Sequence, residues 1–400
     1  MPTIFDSFQK GKTQSKDWVS QFENFRTIRN AFNDSFILKS PDSFVHTQEV
    51  HRLSQLLGQM LNSKLDASFL PQILVFGPRR CGKSATAKQI AFELNKSIDT
   101  NYARYLTYDS NFFQKWEDID FSPTQIFFLD NIYPIWGTLS RQSYFDLLER
   151  SDYDKIIIVT ILNSIEQYWL KNSQKSARIQ IFGQEPFEFK FKRPSNIEIQ
   201  QIIKKRTEIL GKPDLFSQNV LNDISVISLG LPGIALWLIR QLFSHIETQE
   251  SVFNITTELL HKTAQYLGFQ AALKIVVEHN LRFNQQENSI PTGKTYPILQ
   301  PLLDSNYGVN SPLLEYLKNV KGVIKSSIPV LEEMLLLKHE DGSIKRSELQ
   351  EKTGIKESSL TYQCQKLVKE KIVNYTKIGR EVYYELRSPV KEALELTFLG

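Results

Sequence analysis

Cysteine is scarce: only Cys81 and Cys364 occur in 400 residues, and they stand far apart in the chain. That spacing gives no disulfide framework and no cysteine metal cluster, and it fits a reducing, intracellular setting. Long apolar runs are missing too; none approaches the ~18 residues of a membrane-spanning helix, so no membrane association is expected. The N-terminal MPTIFDSFQKGK lacks the long apolar core of a secretory signal. Charge of one sign is not in excess: 48 Lys+Arg against 44 Asp+Glu leave a net +4. Global charge therefore does not argue for nucleic acid; what matters is where the basic residues concentrate. What remains is an ordinary globular composition, 41% hydrophobic and 23% charged, in a chain long enough for two or three domains with real cores.

The most informative stretch is Gln72–Ala87, QILVFGPRRCGKSATA. A short apolar run ends at Gly77, and Pro78, Arg79, Arg80, Cys81, Gly82, Lys83 and Ser84 complete G-x-x-x-x-G-K-[ST] ahead of Ala85 and an alanine-rich helical stretch. In a strand-then-helix setting this pattern is a phosphate-binding loop. Unpaired backbone N–H groups of the loop and first helical turn point inward, and the helix N-terminus adds partial positive charge. Lys83 is placed to bridge β- and γ-phosphates and the Ser84 hydroxyl to ligate Mg²⁺, so ATP and Mg²⁺ are the expected ligands.

Apolar runs alternate with helical patterns beyond the loop. Asn101–Tyr108 (ARYLTY) reads as a strand, Phe112–Trp116 and Leu139–Arg150 as helices, and Gln125–Asp130 (QIFFLD) and Lys155–Thr160 (KIIIVT) as buried parallel strands. Asp130, at the end of QIFFLD, is where a carboxylate would hold the Mg²⁺ water shell; its alternative is a helix N-cap. Asn131 follows where many such ATPases carry Glu; Asn orients water but is no base, which predicts slow hydrolysis or binding without turnover. Asn163, past the next strand, either reaches the γ-phosphate or forms a turn. Strands alternating with helices behind a phosphate loop imply a three-layer α/β nucleotide-binding domain.

The expected organisation is a tail and helix over 1–42, the α/β domain over 43–192, a helical domain over 193–280, a Pro-containing connector over 281–325, and a C-terminal module over 326–400. Before the core, Ser43–Leu61 reads as a bend followed by an amphipathic helix; His46 and His51 are poorly spaced for a shared metal. Alternating Phe187, Phe189 and Phe191 mark a strand, and Ser195-x-x-Glu198 a capping box. The C-terminal module reads as three helices, a glycine turn at Gly354 and a β-hairpin around Gly379: a winged helix-turn-helix. Basic residues concentrate there. Lys356, Ser358, Ser359, Tyr362 and Lys366 share the third helix, with Lys377 and Arg380 at the wing tip, so duplex DNA is the expected partner; a protein-docking winged helix is the alternative.

Together these residues resemble AAA+ ATPases of the archaeal and eukaryotic origin-recognition and replication-initiator clade. The resemblance spans about Ser43 to Gln249 and Pro329 to Pro389, on FVHTQEVHRLSQLL, the phosphate loop, IFFLD, Asn163 and KSARI…FKRPSNIEIQQIIKKR. It implies an AAA+ three-layer α/β P-loop domain, a helical lid and a winged helix. It also implies adenine near Val45 and His46, Arg178 as an arginine finger reaching a neighbouring subunit's ATP, and a nucleoid-associated or nuclear place of work. Two positions depart from the pattern: Asn131 replaces the catalytic Glu, and Gly233 stands where the lid arginine would be. The lid stretch GLPGIAL is similar to the GxP motif of STAND signalling ATPases, whose proline (Pro232 here) packs on adenine. GPRRCGKS is similar to the loops of an archaeal ATPase family with C-terminal winged helices. A STAND-type regulatory switch and an ATP-stabilised scaffold subunit are therefore the alternative functions.

Overall fold

The computed structural model describes residues 26–33, 43–62, 72–99, 101–107, 124–131, 156–172, 186–246, 255–273, 275–276, 327–337 and 342–399. The helices expected at Phe112–Trp116 and Leu139–Arg150, the connector over 281–325, and Arg178 lie outside these residues.

The first domain comprises α1 (Gln48–Asn62), β1 (Gln72–Gly77), α2 (Lys83–Ser97), β2 (Ala103–Thr107), β3 (Ile126–Asp130), β4 (Ile157–Asn163), α3 (Ser164–Asn172) and β5 (Phe187–Lys190). The strands form one parallel sheet in the order β2-β3-β4-β1-β5. Every residue of β1 is buried, as are the first four of β3 and the first six of β4. This is why their sequences are apolar runs: helices cover both faces of a parallel sheet. β4 extends past the expected end at Thr160, because Ile161 and Leu162 keep it apolar to Asn163. Register sets Gly77 beside Asn163 and Thr107 beside Asp130. The residues carrying chemistry thus collect at the carboxyl edge of the sheet, where ligands of open α/β folds bind.

The lid contains α4 (Asn196–Ile209), α5 (Gln218–Ile227), α6 (Pro232–Ile246) and α7 (Thr257–Tyr266). The capping box is present in both directions: Glu198 N donates to Ser195 Oγ at 3.2 Å, and Ser195 N donates to Glu198 Oε2 at 2.7 Å. Arg206, on the inner face of α4, is fully buried and donates to the carbonyls of Ala31 (2.7 Å) and Asn33 (3.0 Å). The lid is thereby tied to the helical segment over 26–31, whose Phe32 contacts the rings of Phe216 and Phe243.

The C-terminal module contains α8 (Ile328–Leu335), β6 (Ser343–Lys345), α9 (Arg346–Thr353), α10 (Glu357–Lys369), β7 (Val373–Ile378), β8 (Glu381–Leu386) and α11 (Val390–Phe398). Its strands form an antiparallel sheet in the order β6-β8-β7. The hairpin and the Gly354 turn (φ 64°) are where the sequence puts them. Two elements are additional. β6 is three residues long, too short to show a period. α11 buries Val390, Ala393, Leu394 and Thr397 on one face, and also Glu392 and Glu395. Fully burying each Val or Leu contributes about 1.5–3 kcal/mol, so this helix is firmly seated.

The module leans on the rest of the chain. Trp169 Nε1 of α3 donates to the Leu336 carbonyl at 3.1 Å. Lys371 Nζ donates to the Tyr266 carbonyl at 3.2 Å and lies 4.8 Å from the centre of the Tyr266 ring. The buried acids of α11 face the phosphate loop itself.

Candidate functional site

The phosphate loop joins β1 to α2. Gly82 stands at the N-cap of α2 with φ 109° and gives no side-chain cap, and the first helical turn carries no acid. The first-turn N–H groups and the helix dipole are therefore left for an external anion. Arg80 adopts φ 60°, the left-handed region that a side chain rarely enters, a local strain of the sort concentrated at functional sites. Lys83 is buried, and its Nζ donates to the carbonyls of Gly77 (2.8 Å) and Pro78 (2.7 Å). Cys81 Sγ lies 3.7 Å from the same ammonium; burial pushes this thiol up, so it stays protonated.

A cavity of about 450 Å³ opens beside the loop, a size suited to a small ligand. Its lining includes apolar Phe44, Val45, Phe191, Ile202, Pro232 and Leu236, together with polar and charged Arg80, Lys83, Ser84, Lys88, Tyr105 and Asp130. Cys81, Gly82 and Ala85 also line it. The Tyr105 hydroxyl donates to Asp130 Oδ2. Its phenol is pushed well above the ordinary range by burial and then by the Asp130 charge. Ser84 and Asp130 line the same cavity as the Tyr105 hydroxyl. They form a cluster of oxygens with a single carboxylate, the hard-donor set that suits Mg²⁺ completed by phosphate and water. No cluster of three or more His, Cys, Asp or Glu that would suit a softer metal occurs among the described residues.

Other expected residues lie elsewhere. His46 turns from the cavity; its Nε2 is 2.7 Å from Glu93 Oε1, and its ring meets His51 edge-on at 5.8 Å. Asn131 is exposed with φ 56° and does not line the cavity. Asn163 Oδ1 accepts from Glu166 N at 2.9 Å, while Asn163 N donates to Glu166 Oε2 at 2.7 Å. This reciprocal cap starts α3 and uses the side-chain oxygen of Asn163. Gly77, Pro78 and Arg79 form the back of the loop rather than the cavity wall.

The lid glycine has a local reason. Gly233 N donates to the Arg80 carbonyl at 3.0 Å, and a Cβ added at Gly233 would come within 2.9 Å of Arg80 Cβ. The first turn of α6 lies directly on the phosphate loop, with Pro232 Cγ 3.8 Å from where a Cβ on Gly82 would stand. No arginine fits there without separating lid from loop.

Tyr105, Phe44, Glu166 and Glu395 are site residues that motif reading passes over. Tyr105 had one visible signal, its place two residues before the end of β2, level with the loop. Glu166 is buried, which holds its carboxyl above the usual range despite hydrogen bonding from Asn163 and the charges of Arg79 and Lys83. Glu395 is raised in the same way by burial.

No protein-family model and no curated protein matches this chain. Among solved structures it is similar to the Aeropyrum pernix Orc1 protein in complex with DNA, at 12% identity and TM-score 0.47, covering 92% of this chain and 96% of that one. It is also similar to AMPPCP-bound DnaA from Aquifex aeolicus, at 11% identity and TM-score 0.40, covering 85% and 93%. A third is the Walker-type ATPase PABY2304 of Pyrococcus abyssi, at 12% identity and TM-score 0.38, covering 87% and 94%. The fold is an α/β P-loop fold. Its strand–loop–helix junction and five-stranded parallel sheet carry that statement in this chain's own geometry.

Two outcomes follow. Gly233→Arg, which places an arginine at this contact with the loop, is expected to destabilise the protein by about 1–3 kcal/mol through overpacking. Thermal unfolding reads this, and an unchanged midpoint contradicts the steric account. Glu166→Gln removes a group whose folded-state affinity for protons is raised. The wild type should lose stability, relative to this variant, as pH rises from the ordinary 4.5 through the elevated value. Denaturant melts across that range measure the change; a wild type that gains stability relative to the variant as pH rises contradicts the burial account.

Proposed function

We propose that this chain binds Mg·ATP in the loop cavity and duplex DNA through its C-terminal module, in the manner of an AAA+ initiator-type protein, with ATP as an assembly switch. The observation that carries the nucleotide half is the uncapped α2 N-terminus, with Lys83, Ser84 and Asp130 around one cavity. Lys83, withdrawn from the carbonyls of Gly77 and Pro78, would reach phosphate; Ser84 and Asp130 would hold the cation, which neutralises phosphate charge when bound. Pro232 and Val45 are among the apolar lining residues that would suit adenine. Asn131 supplies no base and the lid supplies no arginine at Gly233, so hydrolysis is slow or conditional. Arg178 acts in trans in an oligomer, as the motif resemblance implies.

For DNA, the supporting feature is the arrangement of exposed groups on a winged helix-turn-helix. α9, the Gly354 turn and α10 form the helix pair, and β7–β8 the wing. Lys356, Ser358, Ser359 and Tyr362 are exposed on or at the start of α10, Lys366 is half-buried, and Lys377 and Arg380 are exposed at the hairpin turn. A recognition helix presents its N-terminal residues to base edges in this way, and a wing presents cations to phosphate. A STAND-like regulatory switch is the second reading; the contact of α11 with the phosphate loop favours it.

Filter binding of duplex DNA at low salt, with and without Mg·ATP, tests the proposal. DNA retention that depends on nucleotide, and loses that dependence in Lys83→Ala, is expected. Lys356→Ala and Arg380→Ala should each reduce the salt slope by about one. No DNA retention in either nucleotide state, at a salt concentration where phosphate contacts are strongest, overturns the DNA half.

A further inference from the structure

The last helix sends two buried carboxylates into the back of the phosphate loop. Glu395 is wholly buried. Its Oε2 accepts from the backbone N–H of Arg79 at 3.3 Å, and its Oε1 accepts from the backbone N–H of Ser164 at 3.0 Å. One donor belongs to the loop and the other to the first turn of α3. The two strands that deliver them are register neighbours, Gly77 beside Asn163. The carboxylate therefore sits in a cradle of backbone N–H groups at a helix start, the kind of cradle that holds phosphoryl oxygens. The Arg79 guanidinium (Nε 3.9 Å away) and the Lys83 ammonium supply the compensating charge. Beside it, Glu392 Oε1 pairs with Arg80 Nε at 3.2 Å and accepts from Ser388 Oγ at 2.7 Å.

We propose that Glu395 is a nucleotide-specificity residue: an internal anion that lets the site accept a nucleoside diphosphate and opposes a triphosphate until α11 leaves the loop. The proposal rests on the nucleotide reading above. Lys83 is the shared element. It now donates to the carbonyls of Gly77 and Pro78, immediately before the residue whose N–H holds Glu395. A terminal phosphoryl group drawn in by Lys83 brings negative charge toward a buried carboxylate and takes away part of that carboxylate's compensation. Like charges in a poorly solvated place oppose each other strongly. A diphosphate, ending one group earlier, still meets Lys83 through its β-phosphate but brings no third phosphoryl charge toward Glu395. The opposition is relieved by undocking α11, which carries the rest of the C-terminal module with it.

The contact has the character of a reversible one. Arg79 Nε and Glu392 Oε2 are both buried with no hydrogen-bond partner among the described residues. The Arg79–Glu395 pair at 3.9 Å is an ion pair without a side-chain hydrogen bond. A buried pair left so incompletely satisfied adds little net stability. The apolar face of α11 supplies the seating, and the carboxylates make that seating sensitive to the charge in the site.

The test uses the full chain. Affinities for Mg·ADP and Mg·ATP are measured by competition with a fluorescent nucleotide in the wild type, Glu395→Gln and Glu392→Gln. In parallel, spin labels at Ile197→Cys on the lid and Ile378→Cys on the wing report module position; both sites are exposed, while the native Cys81 and Cys364 are buried. The wild type is expected to prefer diphosphate by about tenfold or more, the size of one uncompensated charge interaction. Glu395→Gln should reduce the preference at least severalfold by strengthening ATP binding, with ADP nearly unchanged. A non-hydrolysable ATP analogue should shift the label distance in the wild type, whereas ADP should not. Equal affinity for the two nucleotides with one unchanged distance overturns the latch and leaves the nucleotide site standing. Binding of neither nucleotide to the wild type overturns both. The label arm needs no change at Glu395, so it decides the matter even if the glutamine variants fail to fold.

Discussion

The backbone of one short loop is approached by two distant parts of the chain and by its own lysine, and this crowding constrains everything around it. Gly233 N, from the lid, donates to the Arg80 carbonyl. Glu395, from the last helix, accepts from Arg79 N. Lys83 folds back onto the carbonyls of Gly77 and Pro78. The loop also bends through a left-handed residue at Arg80 and another at Gly82. A loop so contacted is tied through its own backbone to the lid and to the C-terminal module.

The same crowding bears on Gly233 and Asn131, the two positions where the chain departs from the pattern it resembles. At Gly233 the reason is steric: the lid helix begins on top of Arg80, and only a residue without a side chain permits that approach. At Asn131 the reason is positional. The residue after Asp130 is exposed, carries φ 56° and points out of the cavity, so the oxygen cluster of the site is completed by Tyr105 instead. Proteins accept a left-handed non-glycine residue where surrounding structure fixes it, and Asn is among the side chains that tolerate it best.

Much of this was legible in the residues because it is local. QILVFG, IFFLD and the strand to Asn163 are apolar runs that a covered parallel sheet requires, and the Ser195–Glu198 box is a four-residue signal. The Gly354 and Gly379 turns likewise declare themselves through backbone conformation. What escaped reading is tertiary. Glu392 and Glu395 look like the solvent face of a short helix; they are buried because Arg79 and Arg80, more than 300 positions earlier, meet them. Tyr105 looks like an ordinary strand aromatic until β2 is set beside β3, which brings its hydroxyl to Asp130. Asn163 sits at the end of the longer β4, where its side-chain oxygen caps α3. Spacing along a chain does not announce which distant backbone will supply a partner.

The central claim is that the cavity beside Lys83 is a Mg·nucleotide site whose occupancy the rest of the chain senses. Calorimetric titration of Mg·ATP and Mg·ADP into the purified full chain tests it most directly. The account predicts one saturable site per chain for each nucleotide, with Mg²⁺ required for full affinity. The absence of saturable binding for either nucleotide at millimolar concentration would contradict it.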